Sequence, residues 1–237
     1  MCISVCADAV RGRYHEINGT PCQDRYSVYR VEGVVCAALC DGAGSCEFSH
    51  FGAEAVSREI AKFLASHFFD FIDMHSADAA LRIAEVSKDA LQGIDIPPEE
   101  LACTLVFAAT DGVRYFCGNI GDGRIFLSER QTALLLNSRN GNTASETYFI
   151  TDNDARYNIE FRNGALGEHF MFLLTTDGAG TLLYDNRERR PAPAIDIIRG
   201  WCGTMDSYGL ERAIHENLEE VFSEATQDDV SMVLIYR

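Results

Sequence analysis

Four aspartates constrain this chain more than any other feature, because each lies at or beside the end of an apolar run typical of a buried strand. They are Asp24, Asp41, Asp177 and Asp228, and two of them are followed directly by glycine. Mg²⁺ and Mn²⁺ prefer oxygen ligands in octahedral geometry and keep several waters, so that a few carboxylates and a backbone carbonyl suffice to hold them. The pattern therefore indicates metal-assisted chemistry, directed at phosphate.

The apolar runs predict a chain that begins with strands, continues with two helices and many strands, and ends with helices and one strand. Predicted strands are Ile3–Ala9, Tyr26–Val31, Val34–Leu39, Thr104–Ala109, Val113–Asn119, Gly123–Ser128, Thr132–Leu136, Phe170–Thr175 and Val230–Tyr236. Predicted helices are Ser49–Asp73, Ser76–Leu91, Ala194–Trp201 and Tyr208–Phe222. Segregated strands and helices favour an α+β fold with antiparallel sheets and helices packed outside. Because the four aspartates come from opposite ends of the chain, we expect one domain over residues 1–237.

A polar segment, Asn137–Asn158, interrupts this pattern and contains few core residues. We interpret it as a mobile surface loop, with a short strand at Thr147–Ile150.

Composition narrows the classes of partner. The formal net charge is −16, which argues against nucleic acid and anionic membrane as ligands, since both are bound by basic patches. The nine cysteines include no Cys-x-x-Cys pair, and several lie in apolar runs where thiols behave as small hydrophobes. No basic, apolar leader and no run of roughly 18 apolar residues is evident. We expect a reduced, cytoplasmic protein.

The aspartates belong to longer motifs that occur in a recognisable order. With these motifs the chain resembles the metal-dependent Ser/Thr protein phosphatases of the PPM family, type 2C, and in particular a bacterial type 2C-like subgroup. The matching segments are Cys22-Gln23-Asp24, Leu39-Cys40-Asp41-Gly42-Ala43-Gly44, Ala102-Cys103-Thr104-Leu105, Gly118-Asn119-Ile120-Gly121-Asp122-Gly123-Arg124, Leu173-Leu174-Thr175-Thr176-Asp177-Gly178 and Asp228-Asp229-Val230-Ser231.

The resemblance implies an α-β-β-α sandwich with a site for two Mn²⁺ or Mg²⁺ ions between the sheets. By that match, Asp41 bridges the ions and the Gly42 carbonyl binds one of them. The other metal residues implied by the match are Asp177 and Asp228 on the second ion, Asp24 on a metal or its water, and Asp122 at a third, weaker ion. A metal-activated water then hydrolyses phosphoserine or phosphothreonine.

Three positions depart from the family pattern. Gln23 replaces the usual glutamate, which removes a negative charge from the site, and Ala43 replaces a histidine that is a candidate general acid. Gly19 stands where an arginine is usual. His15, upstream of Cys-Gln-Asp as in the bacterial subgroup, is therefore predicted to contact the phosphate; the alternative is that it is a surface-loop residue.

The leading hypothesis is a monomeric phosphatase acting on phosphoproteins. Gln23 and Ala43 favour a first alternative, a pseudophosphatase that serves as a phosphoprotein-binding or regulatory module. A second alternative is a phosphatase for small phosphomonoesters, whose better leaving groups depend less on an acid. Arg124 is predicted to anchor a carboxylate or a neighbouring loop.

Overall fold

A computed structural model describes residues 2–137 and 147–237 of the chain. The third strand, β3 (Val34–Cys40), is buried along its whole length, as its apolar sequence predicts. Alternate residues enter different cores: Cys36 and Ala38 pack against helices, whereas Val35 and Ala37 pack against a second sheet. This strand therefore has a sheet on one side and helices on the other.

Ten strands form two antiparallel five-stranded sheets in the described residues. The first sheet has the order β1 (Ser4–Val10), β12 (Val230–Tyr236), β9 (Met171–Thr175), β6 (Arg124–Ser128) and β7 (Thr132–Leu136). The second has the order β2 (Arg25–Val31), β3, β4 (Leu105–Thr110), β5 (Arg114–Ile120) and β8 (Glu160–Ala165). A separate hairpin joins β10 (Tyr184–Asp185) to β11 (Arg190–Pro191).

Helices cover the outer face of each sheet. Those on the second sheet are α2 (Ser49–Ser66), α3 (Phe68–Phe71) and α4 (Ser76–Leu91). Those on the first are α6 (Ala194–Thr204) and α7 (Ser207–Asn217), which continues into a π-helix (Leu218–Phe222) and α8 (Ser223–Ala225). Short helices α1 (Arg13–Asn18) and α5 (Asp177–Gly180) and 3₁₀ turns at Pro98–Leu101 and Ala155–Tyr157 complete the structure. The predicted α-β-β-α sandwich is confirmed.

Side chains from both sheets interlock between them. Phe172, Leu174 and Val233 of the first sheet pack with Ala37 and Ala108 of the second. Small residues on the second sheet leave room for the larger ones opposite, and burying this apolar surface holds the sheets face to face. The shared core fixes how the strand ends of the two sheets face each other.

Two predicted helices are not regular α-helices along their whole length. The helix expected over Ser49–Asp73 is interrupted at His67, whose backbone (φ −119°) leaves the helical region, and α3 starts at the next residue. The helix expected over Tyr208–Phe222 changes to a π-helix at Leu218. Both segments keep their apolar faces buried, which is why their periodicity alone favours unbroken helices.

The segment Asn137–Asn158 is only partly a surface loop. Residues 138–146 lie outside the described residues. Ile150 and Ala155, however, are buried in the core beneath the second sheet's helices, and the Ile150 amide donates to the Cys103 carbonyl at 2.9 Å. The expected strand at Thr147–Ile150 is reduced to a single bridge residue, Thr147.

The helices found in residues 2–137 and 147–237 include none with the length and apolar character that crossing a membrane requires.

Candidate active site

Four of the predicted site residues meet at one end of the sandwich. Asp41 directly follows β3, and Asp122 lies in the turn between β5 and β6. Asp177 is the first residue of α5, just after β9, and Asp228 precedes β12. These four side chains line a cavity of about 180 Å³, together with Gly42. Strand ends from both sheets therefore contribute carboxylates to one space.

Asp24 lies behind this cavity and is not among the residues that line it. It is 1% exposed, and its Oδ2 accepts a hydrogen bond of 2.8 Å from the hydroxyl of Thr176. Burial, followed by the nearby charge of Asp229, raises the pKa of Asp24 well above its usual value. Asp24 is thus a buried carboxylate whose charge adds to that of the cavity.

Burial and mutual repulsion govern the electrostatics of the cluster. Burial is the main cause that raises the pKa of Asp41, and the charges of Asp24 and Asp177 add to it. The pKa of Asp177 rises to about 6, first through burial and then through the charges of Asp122 and Asp228. Burial also raises the pKa of Asp228. Ionised together, these groups need a cation for compensation.

The donor set fits a hard divalent cation. Oδ1 of Asp24, Asp122 and Asp177 is buried in each case without a hydrogen-bond partner, which is costly for a carboxylate unless an ion supplies the interaction. In the described residues, nevertheless, no three Asp, Glu, His or Cys side chains are already disposed to hold a metal ion. The residues are suited by chemistry, and their side chains would have to adjust on binding.

Gln23 adds a neutral oxygen to this set. Its Nε2 donates to Ser49 Oγ at 2.6 Å and to the Cys46 carbonyl at 3.0 Å, which fixes the orientation of the amide. The remaining atom, Oε1, is buried without a partner, and Gln23 lines the cavity. A carbonyl oxygen thus lies where the resemblance implies a carboxylate. Ala43 also lines the cavity and offers no proton donor.

His15 is buried, so its interpretation as a surface-loop residue is wrong. It is 7% exposed, and its Nδ1 lies 2.9 Å from Oδ1 of Asp229, although the ring is not aligned for a hydrogen bond. It is also absent from the lining of the cavity. Burial raises the pKa of Asp228, and the electrostatic interaction with His15 lowers it by a smaller amount.

Sequence reasoning missed Asp229, which has more partners than its neighbour Asp228. Its Oδ1 accepts from the amide of Gly12 and its Oδ2 from the amide of Gln23, both at 2.6 Å. The only signal in the sequence is the adjacent pair of aspartates before a buried strand, which does not distinguish their roles.

Arg124 is a buried cation that interacts electrostatically with carboxylates of the cavity. It is 4% exposed, and its Nε donates to Asn137 Oδ1 at 3.1 Å, which agrees with the prediction that it anchors a neighbouring loop. Burial lowers its pKa, and the charges of Asp177 and Asp122 oppose that change. Arg124 therefore partly offsets the carboxylates from behind the cavity.

Known proteins share this architecture. The family described as Protein phosphatase 2C matches residues 11–219. A structure of a bacterial serine phosphatase is similar with a TM-score of 0.69 and 15% identity, covering 99% of this chain and 97% of that one. The serine/threonine phosphatase Stp1 from Staphylococcus aureus gives a TM-score of 0.67 at 15% identity, covering 100% and 96% of the two chains.

The serine/threonine phosphatase of S. agalactiae gives a TM-score of 0.67 at 15% identity, with 99% of each chain covered. At such identities the structural likeness shows the fold alone. A search of curated proteins finds no match. The family match covers most of the chain and includes Asp41, Asp122 and Asp177 of the cavity, whereas Asp228 lies beyond its end. The chain belongs to the protein phosphatase 2C family.

Proposed function

We propose that this protein is a divalent-metal-dependent phosphatase that hydrolyses phosphoserine and phosphothreonine in proteins. One observation carries the proposal: carboxylates from both sheets converge on a single cavity, and two of them, Asp122 and Asp177, have a buried oxygen without a hydrogen-bond partner. Membership of the phosphatase family supports the reaction class.

The metal would be held by Asp41, the Gly42 carbonyl, Asp177 and Asp228, with Asp24 and Asp122 as further ligands or as partners of coordinated water. Two Mn²⁺ or Mg²⁺ ions, with a weaker third at Asp122, would lower the pKa of a water and stabilise the phosphoryl oxygens.

The residues around the carboxylates orient them. The backbone amide of Asp41 donates to Thr104 Oγ1 at 3.1 Å, and the carbonyl of Asp41 accepts from the Thr104 amide at 2.8 Å. These two hydrogen bonds continue the pairing of β3 with β4 as far as the cavity, which both residues line. Asp41 is thus held on a rigid element rather than on a free loop, as a precisely placed ligand requires.

Ala43 determines how the reaction depends on its leaving group. It lines the cavity where the family usually has histidine, so this chain offers no imidazole there to protonate a departing serine oxygen. An aryl oxide needs no such proton because it leaves as a stable anion. We expect the ratio of aryl-phosphate to phosphothreonine turnover to be high.

A pseudophosphatase is the second candidate, favoured by Gln23 and Ala43. It would keep the fold and bind phosphoproteins with little turnover. A phosphatase for small phosphomonoesters would keep the same metal residues and differ in substrate alone.

The partner we infer is a phosphoprotein, because the chain belongs to a protein phosphatase family. The net charge of −16 disfavours nucleic acid and anionic membrane. We further propose that the protein acts as a monomer in the cytoplasm. The cysteines in the described residues are free, which fits a reducing compartment.

The test is hydrolysis of p-nitrophenyl phosphate and of a phosphothreonine peptide while Mn²⁺ is titrated, with chelator and Asp41→Asn as controls. We expect Mn²⁺-dependent turnover of both substrates by the wild-type protein and loss of both in the variant. Turnover of the aryl ester alone would favour the small-phosphoester enzyme. Mn²⁺ binding in calorimetry without any turnover would favour the pseudophosphatase, and unchanged activity of Asp41→Asn would refute the site.

A further inference from the structure

The carboxylate of Asp229 is a buried junction between the two ends of the chain. It is 3% exposed, and both oxygens accept a backbone hydrogen bond of 2.6 Å, from Gly12 and Gln23 respectively. The oxygen bonded to Gly12 also lies 2.9 Å from Nδ1 of His15. A buried carboxylate with this many partners is firmly fixed in place.

Asp229 contacts the chain segments that carry the proposed metal residues Asp24 and Asp228. Gln23, whose amide is bound, precedes Asp24 in the chain and itself lines the cavity. On the other side, the amide of Asp229 donates to Oδ1 of Asp228 at 2.9 Å and so orients that carboxylate. One residue therefore touches both strand-end segments that supply ligands from opposite ends of the sequence.

The helix that carries His15 is also docked closely against this junction. A Cβ on Gly12 would lie 2.2 Å from the carbonyl carbon of Asp228, so only glycine fits. The amide of Tyr14 donates to the Gln227 carbonyl at 3.0 Å. The N-terminal segment therefore follows the position of residues 227–229 with little freedom.

We propose that Asp229 is a positioning residue of the metal centre and that His15 is its side-chain partner. Together they hold Gln23 and Asp24 at a fixed distance from Asp228. His15 then acts through Asp229 rather than by touching the phosphate, in keeping with its absence from the cavity lining. This inference rests on the proposed metal-dependent function.

The test compares Asp229→Asn, His15→Gln and the double variant with a matched control pair. His215 Nδ1 and Asp8 Oδ2 lie 2.7 Å apart, neither residue lines the cavity, and Asp8→Asn and His215→Gln remove this similar pair. Mn²⁺ affinity is measured by calorimetry with the metal alone. Inhibition by inorganic phosphate and the KM for p-nitrophenyl phosphate are measured at saturating Mn²⁺.

We expect Asp229→Asn to weaken Mn²⁺ binding by about tenfold or more, the usual effect of removing a partner that orients a ligand. His15→Gln should weaken it less, and the double variant should add little to Asp229→Asn, because contacting residues are coupled. KM and the phosphate inhibition constant should stay within about twofold. The control variants should bind Mn²⁺ like the wild-type protein.

Unchanged Mn²⁺ affinity in Asp229→Asn, or additive losses in the double variant, would overturn the proposal. So would a raised KM and weaker phosphate inhibition in His15→Gln with normal Mn²⁺ binding, since His15 would then contact phosphate. If Asp229→Asn does not fold, His15→Gln decides, because it leaves both backbone bonds intact. A wild-type protein that neither binds Mn²⁺ nor turns over substrate would refute the proposed function itself.

Discussion

The hydroxyl of Thr176 donates a hydrogen bond of 2.8 Å to Oδ2 of Asp24, a residue 152 positions earlier in the chain. Thr176 Oγ1 also lies 2.9 Å from Ser231 Oγ, so three strand ends are joined behind the cavity. Both hydroxyls favour the ionised form of Asp24 and oppose the effect of burial on its pKa. Asp24, which the resemblance predicts as a metal residue, is thus held by two hydroxyl side chains that are not themselves proposed as ligands.

Thr176→Val removes that donor with little change in volume. Because Asp24 is buried, we expect the metal-free protein to lose about 1.5–3 kcal/mol of unfolding free energy at pH 8. The loss should be smaller at pH 5, since the pKa of Asp24 is raised and its protonated form needs the donor less. Urea denaturation with chelator at both pH values measures this difference.

Thr204→Val is the matched control. The Thr204 hydroxyl bonds only to the Gly200 carbonyl within an exposed turn of α6. Its loss should cost within about 0.5 kcal/mol at either pH. An equal cost of Thr176→Val at pH 5 and pH 8 would contradict the assigned interaction with an ionised Asp24.

Gly178→Ala should damage the site through the backbone. A Cβ at residue 178 would lie 2.1 Å from the carbonyl oxygen of Asp229, so the segment bearing Asp228 would have to move. We expect a loss of at least about 2 kcal/mol of unfolding free energy, and loss of Mn²⁺ binding. Gly200→Ala, also in a helix but with nothing within 4 Å of the added Cβ, should instead be neutral or stabilise by up to about 1 kcal/mol. Equal effects of the two variants, measured by thermal unfolding and calorimetry, would show that close approach at Gly178 is unimportant.

The parts of the fold and site that sequence predicts are those with local signals. β3 is a continuous apolar run because both of its faces are covered, and the strand-end aspartates are visible beside such runs. β8 gives no such signal, because it is a half-exposed edge strand that owes its existence to pairing with β5. The break at His67 is likewise invisible, since apolar residues continue on both sides of it.

The role of Asp229 cannot be read locally. Its partners Gly12 and Gln23 lie 217 and 206 positions away, and His15 belongs to a six-residue helix too short for a periodic pattern. The resemblance predicts that His15 contacts the phosphate, whereas its burial outside the cavity lining is a property of the folded chain alone.

The metal-free protein should become less stable as pH rises through 6. Asp177 has a pKa of about 6 in the folded chain, above its ordinary value of 3.8, so the folded state binds this proton more tightly. Its contribution is complete below pH 3.8 and is lost as pH rises through about 6, an effect on the order of 3 kcal/mol at most. The free energy of unfolding, measured with chelator present between pH 4 and pH 8, gives the size of this loss.

Asp177→Asn should reduce that pH dependence, because one of the titrating carboxylates is gone. Asp95→Asn, an exposed aspartate outside the cavity, should leave it unchanged. Saturating Mn²⁺ should reverse the trend in the wild-type protein, since metal binds the deprotonated carboxylates. The same slope in wild type and Asp177→Asn would refute the assignment of this proton.

Gln23→Glu tests why this chain carries a neutral side chain where relatives carry a carboxylate. The added charge should tighten Mn²⁺ binding by about tenfold, as expected for an additional anionic partner of the metal or its water. The metal-free protein should lose about 1–3 kcal/mol, because a carboxylate oxygen would then face the Cys46 carbonyl that now accepts from Nε2. Calorimetric titration and urea denaturation with chelator give the two quantities, with the exposed Gln131→Glu as control. Tighter metal binding without any loss of stability would show that the Cys46 carbonyl and the Ser49 hydroxyl do not need the Gln23 amide as a donor. Unchanged metal affinity would place Oε1 outside the metal site.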